Sequence, residues 1–138
     1  MFIAHLPSGY ILAKFLQKKL KNLLVKPSTF ILITMLGAIF PDIDLFYFYL
    51  IDHRSVHHHQ YFLHWFSFWI PLFLISYFGL MKSKFKSSFA CLLSVFCGGA
   101  LLHICLDTFV GDVWLFAPFL MKPYVFFELC DKSGKGDK

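Results

Sequence analysis

The amino-acid sequence predicts an all-α protein: an integral membrane helical bundle with an N-terminal amphipathic helix and three to four membrane-embedded helices, one of them broken at Pro41. Three observations predict it. The 138 residues are 58% hydrophobic and 15% charged, with 19 phenylalanines and a mean hydropathy of +0.65, whereas a soluble domain is roughly 45–50% apolar and about 25% charged. The apolar residues fall in long runs of the length that spans a bilayer. The lysines gather beside those runs. Lys14, Lys18, Lys19, Lys21 and Lys26 precede the first, Lys82, Lys84 and Lys86 separate two later ones, and Lys132, Lys135 and Lys138 close the chain. Such clusters mark the cytoplasmic side. They also account for the net charge of +5 without nucleic acid, because no basic stripe is interleaved with polar surface residues. Residues 1–130 read as a single membrane-embedded domain and 131–138 as a disordered tail.

Taken in order, the first element runs from Ser8 to Val25, where Ile11, Leu12, Phe15, Leu16, Leu20, Leu23 and Leu24 share a helical stripe with Lys14, Lys18 and Lys21 opposite. This is the pattern of an amphipathic helix lying in the membrane interface. Met1 to Ala13 carries no lysine or arginine ahead of its apolar residues, so no cleavable signal is expected. The second element follows Lys26-Pro27-Ser28, with Ser28 a possible cap, and extends over the apolar run Phe30 to Ile51. Pro41 should break it, since proline lacks a backbone donor and pushes Phe40 away from helical geometry. A broken membrane helix persists only where it is buried in protein or lines a wet cavity.

The connection IDHRSVHHHQYFLH holds five of the seven histidines and leads into the apolar run Phe62 to Met81. A lysine-rich turn at Lys82 to Lys86 precedes Phe89 to Leu106, and Asp112 to Leu129 is a shorter aromatic run interrupted by Pro118 and Pro123. Cys91, Cys97 and Cys105 lie in apolar runs and, with Cys130, show no C-x-x-C spacing, so packing is the expected role. Trp65, Trp69 and Trp114 read as interfacial or packing residues, and Asp52, Asp112 and Glu128 as structural groups at membrane edges.

With the lysines inside, the second run travels outward, the third returns and the fourth travels outward again, which brings His59, His64, His103 and Asp107 to the outer face. Asp42 and Asp44 lie roughly 18–21 Å along from Phe30, near that same face. An interfacial first helix, in contrast, leaves His5 on the inner side. His103 and Asp107 are four residues apart and share a helix face, as two ligands of one ion require. An aspartate inside an apolar helix costs roughly 2.5–3.5 kcal/mol to insert, which argues against filler. Asp42 and Asp44, directly after the helix-breaking proline, can turn toward a cation. His53, His57, His58, His59 and His64 supply more imidazole than one metal site uses. All these donors are nitrogen or oxygen, which suits zinc, manganese or iron. Their number, at least six against the four of a usual zinc site, hints at two ions, so the expectation is one or two.

The ordered set HLPSGY, PDID, HHHQYFLH, HICLD and GDVWLFAP resembles the YdjM-like family of membrane-bound metal-dependent hydrolases over most of the chain. That family shows an N-terminal His followed by Gly, a P-D-x-D, a segment like H-R-G-x-T-H-S before a transmembrane helix, and H-x-x-x-D followed by Gly and Pro. His5, Asp42, Asp44, His103 and Asp107 match one for one. Both His53 with His58 and His59 with His64 have the family's spacing. The second register is preferred because Phe62 also matches and the apolar run begins at once, although Gln60, Leu63 and Trp65 depart from the pattern.

The resemblance implies a bacterial inner-membrane protein whose divalent ion, zinc first among the candidates, is held by His5, Asp42, Asp44, His59, His64, His103 and Asp107. His58 would be a spare ligand or proton carrier. It further implies hydrolysis of an ester or phosphoester, in a small molecule or a membrane lipid. A distant similarity to zinc-dependent phospholipase C and related single-strand nucleases, which share the H-x-x-x-D pair, points the same way by analogy of fold. Two other classes use intramembrane histidine and aspartate: a non-catalytic metal or proton carrier, and a haem-binding bundle.

Overall fold

The structure is a computed structural model that describes residues 2–19, 25–51, 61–84, 86–119 and 122–123. Its helices are α1 (Phe2–Lys19), α2 (Pro27–Ile39), α3 (Asp44–Leu50), α4 (Phe66–Lys82) and α5 (Ser88–Val110). Short 3-10 turns at Phe40–Ile43 and Phe62–His64 join α2 to α3 and lead into α4. Pro27–Leu50 and Ser88–Phe109 are long and apolar enough to cross a membrane, and Phe66–Lys82 is apolar but shorter. The expected all-helical membrane bundle is therefore the fold observed; the break at Pro41 takes the form of a 3-10 turn within one helical span, and Phe40 keeps helical angles (φ −60°, ψ −39°), contrary to the expectation that the proline would push it out of them.

Helix α1 starts six residues earlier than the sequence stripe implies and carries Pro7 in its second turn. It runs antiparallel along α2. Gly9 meets Met35 and Ala38, Ala13 shares a buried cluster with Phe30, and Gln17 Nε2 donates to the Pro27 carbonyl at 2.7 Å. The buried face is thus the line His5, Gly9 and Ala13, small at its last two positions, while Ile11 and Phe15 of the predicted apolar stripe point outward, 66% and 57% exposed. Leu12 and Leu16 of the same stripe are half-buried, Leu16 against the Ala13 cluster, and lipid explains the split: chains around the bundle are as apolar as leucine, so helices associate through close backbone approach and leave large side chains to the lipid. Ile75, Phe89 and Phe46 face outward in the same way.

Helix α2 opens with Pro27 at its first position, where the missing N–H costs nothing. Lys26 is the N-cap residue and makes no side-chain cap, so Ser28 does not fill the capping role expected of it. In α5, by contrast, the Ser87 hydroxyl accepts from Ala90 N at 3.2 Å and caps the helix. Helices α2 and α5 run parallel and nearly touch. A Cβ built on Gly37 would overlap the backbone of Phe96, and one on Gly99 would strike the backbone of Thr34 and Ala38. Helix α4 returns antiparallel to α5, with the Ser76 and Ser94 hydroxyls meeting at 3.1 Å.

Two buried clusters fill the bundle. One, around Ala13, Phe30, Leu80, Cys91 and Val95, lies toward the lysine-bearing end; the other, around Leu63, Trp69, Cys97, Ala100 and Ile104, lies toward the opposite end. Cys91 and Cys97 pack as expected, whereas Cys105 faces outward. Beyond α5, residues 111–119, the described start of the aromatic run from Asp112, are not helical. Val113 and Leu115 turn inward onto the second cluster, and Ala117 is buried too. Leu115 O accepts from Phe66 N at 3.0 Å, and Ser67 Oγ bonds Ala117 O, which ties this strap to the start of α4. Helix α4 itself begins at Phe66, four residues after the predicted apolar run, because Phe62–His64 form a separate turn. The expected tail, 131–138, lies outside the described residues.

Candidate metal centre

Four segments end at the same place. Because α1 is antiparallel to α2, the N-terminal turn of α1 meets the C-terminal end of α2, the turn before α4 and the last turns of α5. His5 is therefore at the centre, 2% exposed, and not on the inner side where an interfacial helix would have left it. Asp42, Asp44, His64, His103 and Asp107 are buried beside it.

The innermost set is Asp42, His64, His103 and Asp107, whose ligand atoms all lie within 4.8 Å of one another. His103 Nε2 is 3.0 Å from Asp107 Oδ2 and 3.5 Å from Asp42 Oδ1. His64 Nε2 is 3.6 Å from Asp107 Oδ2 and 3.9 Å from Asp42 Oδ1. An ion bound tetrahedrally at about 2.0–2.1 Å from nitrogen and oxygen ligands separates those ligands by roughly 3.3–3.4 Å, so these four edges bracket the spacing such an ion needs. Asp42 Oδ2 is buried with no hydrogen-bond partner among the described residues, which is costly for a carboxylate unless a cation is near. Two nitrogens and two oxygens form a donor set suited to zinc, manganese or iron.

Each position follows from local sequence. Pro41 ends α2 and the backbone tightens into a 3-10 turn with Asp42 in its first turn, which directs Asp42 inward. Nearby, the Ala38 carbonyl accepts from His103 Nδ1 at 2.8 Å. Asp44 begins α3, and its Oδ2 is 2.8 Å from His64 Nδ1. The turn carrying His64 is pinned by Trp69, whose Nε1 donates to Leu63 O at 2.7 Å. His5 Nε2 lies 3.1 Å from Asp107 Oδ1, and the His5 ring stacks on His103 with centroids 4.0 Å apart.

Of the residues expected from sequence, His5, Asp42, Asp44, His64, His103 and Asp107 converge here. His59, the other ligand of the preferred register, lies outside the described residues, as do His53, His57 and His58. Trp69, expected only to pack or sit at an interface, is almost fully buried and holds the turn that carries His64. The Ala38 carbonyl and the glycine contacts were not anticipated; glycines inside apolar runs were their one visible sign. Two apolar grooves of about 430 and 460 Å³ lie on either side of Phe46, and both reach Asp42.

The model of a family described as YdjM inner membrane protein matches residues 1–130 of the chain. No curated protein and no solved structure matches it.

Proposed function

The chain belongs to the YdjM inner membrane protein family and is an integral protein of that membrane, and from this premise we propose that it is a metal-dependent hydrolase acting on an ester or phosphoester. The observation that carries the reading is the buried N2O2 set of Asp42, His64, His103 and Asp107, whose four nitrogen–oxygen edges are 3.0–3.9 Å and whose ligand atoms all lie within 4.8 Å of one another. A divalent ion bound there, zinc first and manganese or iron next, would supply Lewis acidity and lower the pKa of water to about 7. The chain's own part is to present the donors. His64 and His103 each point Nε2 at the cluster, Asp42 and Asp107 contribute charge, and the surrounding helices exclude bulk water. A lipidic substrate suits the setting, because the grooves reaching Asp42 are lined by Leu36, Ile39, Phe40, Phe46, Phe96 and other apolar side chains.

Two experiments test this. Metal analysis of the purified protein should find stoichiometric zinc, manganese or iron, lost in His103→Ala and Asp107→Ala; protein without any of these metals would sink the proposal. Release of phosphate or fatty acid from a panel of membrane lipids should require the metal and disappear in the same variants. Metal uptake into vesicles without turnover would instead favour a carrier, the second reading that buried aspartate and histidine support.

A further inference from the structure

We infer that Asp44 and His5 are positioning residues, not ligands, and that the centre is built for a single ion bound by Asp42, His64, His103 and Asp107. The inference rests on the metal-centre reading above and assigns each polar side chain a distinct task within it.

The imidazole of His64 has two nitrogens with different neighbours. Nδ1 faces Asp44 Oδ2 at 2.8 Å, a normal length for an N–H donating to a carboxylate. With the proton held on Nδ1, the lone pair on Nε2 faces Asp42 and Asp107. His103 repeats the device with a backbone partner: Nδ1 donates to the Ala38 carbonyl at 2.8 Å and Nε2 faces the same two carboxylates. The two rings therefore share a tautomer and aim their lone pairs at one region. Histidine ligands are commonly fixed this way, by a carboxylate or carbonyl on the nitrogen away from the ion.

Asp107 divides its oxygens similarly. Oδ2 faces His64 and His103, whereas Oδ1 lies 3.1 Å from His5 Nε2. The approach of His5 Nε2 to Oδ1 lacks hydrogen-bond geometry among the described residues, so His5 bears on this carboxylate through the 3.1 Å ion-pair contact and leaves Oδ2 toward the ion. The stacking of His5 on His103 holds both rings in register. In this arrangement α1 and α3 contribute the supports, and the ligands come from the turn at Asp42, the turn at His64 and α5.

The test uses the full chain in detergent, stripped of metal with a chelator and titrated with cobalt(II), whose visible absorption reports the donor set. The wild type should bind one cobalt per chain. Asp44→Asn and His5→Gln should still bind one, with the wild-type band shape, but with a dissociation constant raised about 10–100-fold. Asp44→Glu, which restores a carboxylate, should recover most of that affinity and guards against a loss caused by misfolding. Asp42→Asn and His103→Gln should change the band shape or abolish it. Two cobalt ions in the wild type, falling to one in His5→Gln or Asp44→Asn, would overturn the inference while leaving the metal-centre proposal intact. An altered band shape, or unchanged affinity, in those two variants would overturn it equally. Wild-type protein that binds no cobalt would defeat the metal-centre proposal itself, and this inference with it.

Discussion

Asp42, Asp44 and Asp107 are each less than a tenth exposed, and with the histidines counted as neutral they give the buried cluster a formal charge of −3. Such a concentration of charge is unfavourable without a cation, because desolvation of each carboxylate outweighs what neutral imidazoles return. Asp42→Asn should therefore raise the thermal stability of the metal-free protein while removing its stabilisation by zinc. In the wild type, zinc at a hundred times its dissociation constant should add about 2.7 kcal/mol. Thermal melting of both proteins with and without zinc measures the two effects; a metal-free variant less stable than metal-free wild type would contradict the charge argument. Trp69→Phe keeps most of the buried ring but leaves the Leu63 carbonyl without its donor, and should cost about 1–3 kcal/mol in a denaturation experiment. Because that carbonyl adjoins His64, weaker metal binding should accompany the loss. At this scale His103 with Asp107 was legible, since spacing along one helix fixes their geometry. Trp69 was not, because its partner is set by a 3-10 turn that hydropathy does not reveal.

Among the elements, the pairing of α2 with α5 sets how closely Asp42 approaches His103. Gly37→Ala would drive a Cβ into the Phe96 backbone, and overpacking of this kind costs about 1–3 kcal/mol. Since the helices must part to accept it, metal affinity should fall as well. Gly98→Ala is the control: the nearest atom to its Cβ is Phe73 Cε2 at 3.9 Å, so it should be neutral or stabilising by up to about 1 kcal/mol. Measuring melting temperature and cobalt affinity for the pair separates backbone contact from a general effect of adding a methyl group; equal behaviour of the two variants would refute the close-contact account. The break at Pro41 was readable because proline chemistry is local. The place of α1, expected in the membrane interface and found packed along α2, was not legible, because amphipathic patterning shows which stripe meets apolar surroundings but not whether those are lipid or protein. In lipid, Ile11 and Phe15 gain nothing by turning inward, whereas Gly9 and Ala13 permit close contact.

For the molecule as a whole, the lysines at the end of α1, the start of α2 and the α4–α5 turn share one end of the bundle, and the His/Asp centre occupies the other. The positive-inside rule then puts the centre near the periplasmic face. A topology reporter fused after Lys84 should read as cytoplasmic and one fused after Gly111 as periplasmic; the reverse result would invert the assignment. That the lysines and the His/Asp centre lie at opposite ends was legible from their spacing along the runs, but the place of His5 was not, because it depends on whether α1 lies on the membrane or packs within the bundle. Its packing has a consequence for how the protein is made. His5 emerges from the ribosome well before His103 and Asp107, so an elongating chain inserts Asp42 before the groups that complete its surroundings have been synthesised. Assembly of the centre must then be a late event in biogenesis, and a nascent chain stalled before α5 should hold an unfinished polar cluster, the kind of exposed signal by which membrane quality control could recognise it.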